Sequence, residues 1–370
     1  MNRVYLDHNA SAPLKPAVKA AMVQAMDLVG NPSSVHGFGR TVRRAVEEAR
    51  AHVAALAGVK PAQVLFTGSG TEANNLALRG FPGRRVITSA IEHDSVLAAM
   101  PDALRVPVDR NGVTDLDALR RSLAEGEGPA LVSLMLANNE TGVIQPVAEA
   151  AALAHAHGAL FHCDAVQAAG RRPVSLAALG ADLLTLSAHK IGGPAGVGAL
   201  VIAEGLEPEA LIRGGGQEKR RRAGTENVVG LVGFGAAARL ALEELPGAAR
   251  LAVLRDELEA RALAAVPGAR AMGAGSPRVG NTSCLVLPGV PGETQVMALD
   301  LAGVAVSAGS ACSSGKVKPS HVLAAMGEDA DTASSAIRVS LGWDSDADAV
   351  ERFVAAWTAM ARRLVRQPAA

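Results

Sequence analysis

The sequence predicts an α/β fold: a mainly parallel sheet flanked by helices, followed by a smaller α+β region. Three observations lead there. Helical and strand-like patterns alternate over the first two-thirds of the chain. ALVSLMLA (130–137), ALFHCDAV (159–166) and DLLTLSAHK (182–190) are apolar runs of strand length, which suits strands covered on both faces. Beyond about residue 246 the order of elements changes.

The elements follow in order. KPAVKAAMVQAM (15–26) and RTVRRAVEEARAHVAALAG (40–58) have helical periodicity. QVLFT (63–67) is a strand, and GSGTEANNLALRG (68–80) a glycine-rich turn entering a helix. RRVITSA (84–90) is a strand and EHDSVLAAM (92–100) starts a helix. After the three apolar strands, LVGFGAAARLALEEL (231–245) forms a long helix that stops near Pro246. The second region reads as helix (251–266), strand NTSCLVLP (281–288), helix (292–303), strand AIRVSLGW (336–343) and a C-terminal helix.

Composition narrows the class. A chain of 370 residues, 49% of them hydrophobic, has length for two domains and material for a large core. Its 36 basic and 36 acidic side chains cancel, which points away from a nucleic-acid or membrane partner; the one basic cluster is EKRRR (218–222). The N-terminus has no apolar leader, and the longest apolar run, VVGLVGFGAAA, is too short for a bilayer. Cys163, Cys284 and Cys312 form no CxxC pair, so a reduced, cytoplasmic location is expected.

Ligands of open α/β sheets gather beyond the carboxyl ends of the strands. The residues at those ends are therefore the candidates: Gly68-Ser69-Gly70-Thr71, Glu92-His93-Asp94, Asn138-Asn139-Glu140, Asp164 with Gln167, and Ser187 with His189 and Lys190. Each has a structural alternative: a capped glycine turn, a helix-cap neighbour, an Asn turn, an N-cap Asp, a solvated lysine. Taken together they are the set that pyridoxal phosphate (PLP) requires. An amine meets the aldehyde, a carboxylate keeps the ring nitrogen protonated, and N–H and hydroxyl donors at a helix start hold the phosphate. A metal centre from His155, His157, His162, Cys163 and Asp164 is not expected, because neighbours in this pattern do not share a face.

With these residues in view the chain resembles the PLP-dependent cysteine desulfurases of the class V aminotransferase family. The motifs run in order: YLDHNASAP, NPSSVHGFG, FTGSGTEANNLAL, EHDSVL, ANNETGVIQP, HCDAVQAAG, SAHKIGGPAGVGAL, GGGQEKRRRAGTENV and GSACSSGKVKPSHVL. The resemblance implies PLP-dependent transferase fold type I. Residues 13–246 would form a large domain with a mainly parallel seven-stranded sheet. Residues 1–12 and 247–370 would form a small domain carrying the catalytic cysteine loop. It makes Lys190 the lysine that takes the cofactor aldehyde, Asp164 the partner of the ring nitrogen and Gln167 that of the ring oxygen. His93 stacks on the ring, and Asn139 lies beside cofactor and substrate. Gly70, Thr71, Ser187 and His189 hold the phosphate, with Thr225 reaching in from the second subunit of a homodimer. Arg338 grips the substrate carboxylate.

Cys312 decides the reaction class. Free cysteines are most often buried, which suits Cys284 and is favoured for Cys163. Cys312 lies among small, polar and basic residues, with Lys316 and Lys318 close enough in sequence to favour a thiolate. The resemblance then implies conversion of L-cysteine to L-alanine with a persulfide on Cys312. That sulfur would pass to acceptor proteins such as an iron–sulfur scaffold or a transfer-RNA thiolation relay. RxGHHCA, which marks the short-loop branch, is absent, so the long-loop housekeeping or nitrogen-fixation type is expected. The alternatives are an aminotransferase, which would not need Cys312, and a selenocysteine lyase.

Overall fold

The computed structural model describes residues 3–309 and 319–364. Its centre is a seven-stranded sheet in the order Val64–Thr67, Gly198–Ile202, Leu183–Ser187, Leu160–Asp164, Ala130–Met135, Arg85–Ser89, Leu104–Val106. Gly198–Ile202 pairs antiparallel with both neighbours; the other pairings are parallel. That reversed strand and the edge strand Leu104–Val106 are not singled out in the sequence. The first follows a Gly/Pro-rich turn, and the second is three residues long.

Every residue of Ala130–Met135, Leu183–Ser187 and Gly198–Ile202 is buried, as the continuous apolar runs require. Alternate side chains serve two cores. Val132, Leu134, Phe161, Leu184 and Leu186 pack on one face beneath the helices Gly37–Ala57 and Val228–Glu244. Leu131, Leu183 and Leu200 pack on the other beneath Gly70–Arg79. A polar row crosses this second face. The Thr88 hydroxyl donates to the Ser133 carbonyl (2.9 Å), and His162 lies between the hydroxyls of Ser133 (2.8 Å) and Thr185 (2.9 Å).

A four-stranded antiparallel sheet follows, in the order Ser307–Ala308, Ala336–Ser340, Thr282–Val286, Arg270–Ala271. It packs with the helices Ala249–Ala265, Gly292–Leu301 and Ala347–Leu364 around Leu258, Leu285, Phe353 and Trp357. The N-terminal strand Val4–Tyr5 pairs in parallel with Val304–Ala305, so the chain starts beside this second sheet and then crosses to the first. Among the described residues no helix is long and apolar enough to cross a membrane.

Candidate active site

The parallel strands of the central sheet end together, and their last residues open onto a cavity of about 320 Å³. Gly70, Thr71, His93, Asn139, Asp164, Gln167, Ser187, His189, Lys190 and Arg338 all line it. Thr225 does not; it lies exposed in the loop ahead of Val228–Glu244. Cys312 lies outside the described residues, but Gly309, three positions earlier, lines the cavity.

Lys190 ends a single 3-10 turn that follows Leu183–Ser187. The turn aims its amine back at the N-terminal segment, where Nζ donates to the carbonyls of Asn9 (2.5 Å) and Ala10 (2.9 Å). The glycines that follow do not approach the cavity. Gly192 turns at φ +80°, and a Cβ there would meet Lys15 Cγ at 2.7 Å; one on Gly193 would meet the Ala188 carbonyl at 2.9 Å. They pack closely behind the lysine.

Asp164 ends the adjacent strand and is 6% exposed. Its Oδ2 accepts from the Asn74 amide (2.8 Å) and its Oδ1 from the Val166 N–H (3.0 Å). The Asn74 amide also donates to Ser95 Oγ (2.8 Å), and that hydroxyl lies 2.8 Å from His93 Nδ1. One polar chain therefore runs from His93 to Asp164 across two helices. His93 is also the N-cap of Asp94–Leu97, accepting from the Ser95 N–H, so the helix-cap alternative holds together with its place in the cavity. Burial lowers the pKa of His93, with Lys190 acting the same way and Asp164 opposing. Burial and Lys190 bring His189 down to about 4, so it is a neutral imidazole near neutral pH.

The helix Gly70–Arg79 begins at the cavity rim. Ser69 caps it by accepting from the Glu72 N–H (3.1 Å). A Cβ on Gly70 would sit 3.2 Å from Val166 Cγ2 and 3.3 Å from Ser187 Cβ, so only glycine leaves this helix start open beside the Ser187 side chain. Exposed N–H groups with no side chain in the way suit a phosphate.

Arg338 comes from the other sheet. A surface arginine is the ordinary expectation on a strand, yet this one is 4% exposed. Its Nη2 donates to Asp7 (2.8 Å) and its Nη1 to the Asn139 carbonyl (3.1 Å). Its Nε has no hydrogen-bond partner among the described residues. Gln167 donates to the Asn9 carbonyl (3.0 Å) and accepts from Arg171 (2.5 Å).

The donor set fits PLP. Among the described residues the cavity is lined by the Lys190 amine, the buried Asp164 carboxylate whose protein donors are neutral N–H groups, imidazoles with lowered pKa and an open helix start. Asp7, Asn9, Asn74 and Ser95 complete the site and escape the sequence analysis. All four lie inside motifs quoted there, and no local pattern sets them apart from their neighbours. Cys163 and Cys284 are buried, and burial, first of all, raises the pKa of both thiols. Among the described residues no cluster could hold a metal ion.

The chain is similar to known proteins over most of its length. The family described as aminotransferase class-V matches residues 4–353. A cysteine desulfurase of Cereibacter sphaeroides is 47% identical, covering 96% of this chain and 94% of that protein. The cysteine desulfurase IscS of Dictyoglomus turgidum is 42% identical over 92% of this chain and 89% of its own. Among solved structures, a NifS-like protein from Rickettsia africae superposes with a TM-score of 0.91 at 35% identity, covering 97% of this chain and 99% of that one. A structure described as SspA in complex with cysteine has a TM-score of 0.79 at 27% identity, with coverage of 91% and 98%.

Proposed function

From the premise that this chain belongs to the class-V aminotransferase family, among its PLP-dependent cysteine desulfurases, we propose that it converts L-cysteine to L-alanine and captures the sulfur on Cys312. The observation that carries the reading is the meeting of Lys190, Asp164, His93 and Arg338 in one cavity whose rim includes Gly309.

PLP, when bound, supplies an electron sink for negative charge at the substrate Cα. The chain's own residues do the rest. Asp164, held by Asn74 and the Val166 N–H, would pair its carboxylate with the ring nitrogen and keep it protonated. Gly70, Thr71, Ser187 and His189 would hold the phosphate, and Gln167 would bond the ring oxygen. Arg338, turned by Asp7 and the Asn139 carbonyl, presents its remaining donors to the substrate carboxylate, a match for a planar guanidinium. Lys190 would take the α-proton and return it to Cα once the sulfur has left, and His93, its pKa lowered by burial, would exchange protons with the substrate. The Cys312 thiolate then attacks the substrate sulfur. An S–S bond forms, the C–S bond breaks, and its electron pair stays on carbon, which is protonated to the methyl group of alanine. An acceptor thiol later takes the outer sulfur, for iron–sulfur assembly or transfer-RNA thiolation. The high pKa values of Cys163 and Cys284 support Cys312 as the nucleophile, since the thiolate is the reactive form.

Residues 13–246 hold the cofactor, and residues 1–12 with 247–370 bring Arg338 and Cys312 to it. The enzyme acts as a homodimer, with Thr225 completing the partner's phosphate site, in the cytoplasm, where thiols stay reduced. The test is to incubate the holoenzyme with L-cysteine and a reductant and to measure sulfide and alanine. Equal yields of the two are expected, and none from Cys312→Ser. Full sulfide release by Cys312→Ser would overturn the assignment.

A further inference from the structure

Residues on either side of the segment 310–318 meet at one buried carboxylate. The Ser320 hydroxyl donates to Glu140 Oε2 at 2.5 Å. A Cβ on Gly309 would lie 2.9 Å from the same oxygen and 3.2 Å from Ser320 Cβ, so the Gly309 backbone packs directly on both. Glu140 and Ser320 are each 1% exposed. Glu140 is itself fixed. Its N–H and that of Thr141 donate to Asn138 Oδ1 (2.9 and 3.0 Å), and the Asn138 amide donates to the Ile91 carbonyl (3.0 Å). Ser320 in turn caps the helix His321–Ala325.

A buried carboxyl group is costly, and an apolar side chain would fill the same space more cheaply. Burial does push the Glu140 pKa up, against the Ser320 bond and the charges of His321 and Arg338. What the carboxylate provides is a fixed point for the chain. Three peptide units separate Gly309 from Cys312, a reach of at most roughly 11 Å, so the position of Gly309 limits where the thiol can go. Asn139, next to Glu140, meets Arg338 through its carbonyl. The substrate-carboxylate site and the start of the cysteine segment are thus held by consecutive residues.

We infer that Glu140 is a positioning residue for the sulfur-capture step: it fixes Gly309 and Ser320, and so sets where the chain that carries Cys312 begins and ends. This rests on the role of Cys312 proposed above. The test separates two half-reactions of the holoenzyme. Exchange of the L-alanine α-proton with solvent deuterium needs Lys190 and the cofactor but no thiol. Persulfide on Cys312, read by mass spectrometry after L-cysteine without reductant, needs the thiol in place.

Ser320→Ala and Glu140→Ala are expected to exchange within about threefold of wild type. Their persulfide formation should fall about tenfold or more, the scale of a small misplacement of reacting groups. Glu140→Gln, which keeps an oxygen for Ser320 to donate to, should recover to within about threefold. Ser320→Ala and Glu140→Ala combined should cost no more than either one. Cys312→Ala serves as the control. If it makes no sulfide while the anchor variants form persulfide at the wild-type rate, the anchor is overturned and the Cys312 reading stands. Equal losses in both half-reactions would reduce Glu140 to a fold-maintaining residue and overturn the inference. Sulfide release by Cys312→Ala at the wild-type rate would overturn the Cys312 reading and this inference with it.

Discussion

Asp164 illustrates how a residue gains a role from its surroundings. In sequence it could as well be an N-cap, and its Oδ1 does accept an N–H two residues on. Its other oxygen is held by Asn74, from a helix ninety positions earlier, and that bond aims the carboxylate into the cavity. A neutral amide would keep the geometry but could not keep the ring nitrogen protonated. Asp164→Asn is therefore expected to retain bound cofactor and lose about 10²-fold or more in turnover, the size of comparable electrostatic contributions. Cofactor absorbance and sulfide release measured on the same preparation check this; near-normal release would count against the assignment. Arg338 is the second case. Its fork is turned by Asp7 and Asn139, so Arg338→Lys, which keeps the charge and loses the planar donors, should raise KM for cysteine about tenfold and change kcat less. Steady-state kinetics decide; an unchanged KM would remove the residue from the substrate site.

At the scale of elements, the polar row across the central sheet makes a prediction about acid. His162 is fully buried between Ser133 and Thr185, and burial lowers its pKa from 6.5 to about 4. Between these values the unfolded chain binds the proton and the folded chain does not. Stability is therefore complete above about pH 6.5 and is lost as pH falls towards 4, by about 1 kcal/mol per pH unit from this side chain. His162→Asn should be less stable at neutral pH but show a shallower fall in melting temperature from pH 6.5 to 4.5. An equally steep fall would show that His162 does not titrate in this way.

The loop 214–227 makes a second prediction. Glu218, Lys219 and Arg220 lie consecutively at φ 43°, 57° and 67°, a left-handed run that costs roughly 1–2 kcal/mol per residue. The Glu218 carboxylate offsets this. It accepts two bonds from Arg50 (2.8 Å each) and one from the Phe66 N–H (3.0 Å), while Arg50 stacks on the Phe66 ring. If this loop presents Thr225 to a second subunit, Glu218→Ala should release it and weaken both dimer and cofactor retention. Sedimentation combined with cofactor absorbance tests the link, and a variant with intact dimer and full cofactor would break it.

Across the whole molecule the cavity joins two sheets with separate cores. Lys190, Asp164 and Asn139 come from the central sheet, Arg338 from the smaller one, and the N-terminal segment, through Asp7, Asn9 and Ala10, contacts both sets. A ligand bound between two bodies stabilises both. Saturating the cofactor-free protein with PLP at about 1,000 times Kd should add roughly 4 kcal/mol, seen as a rise of several degrees in a single melting transition. A melting curve unmoved by PLP would show that the cofactor does not bind across this interface.

The sequence by itself determined the order and type of most elements, because apolar runs and helical periodicity are local signals. It also picked out the strand-end residues that line one cavity, because polar residues at such positions stand out against an apolar background. The motif series determined the family and, with it, the cofactor and reaction class. Tertiary structure alone decided the rest. Arg338 looks like a surface residue until a second sheet buries it against Asp7 and Asn139. Asn74 means nothing until its helix lies over Asp164, and Glu140 only when Gly309 and Ser320 meet at its carboxylate. The reversed direction of Gly198–Ile202 belongs here as well, since strand pairing is set by partners distant in the chain. In each case the deciding contact spans tens to hundreds of residues, and no local pattern of charge or hydrophobicity records it.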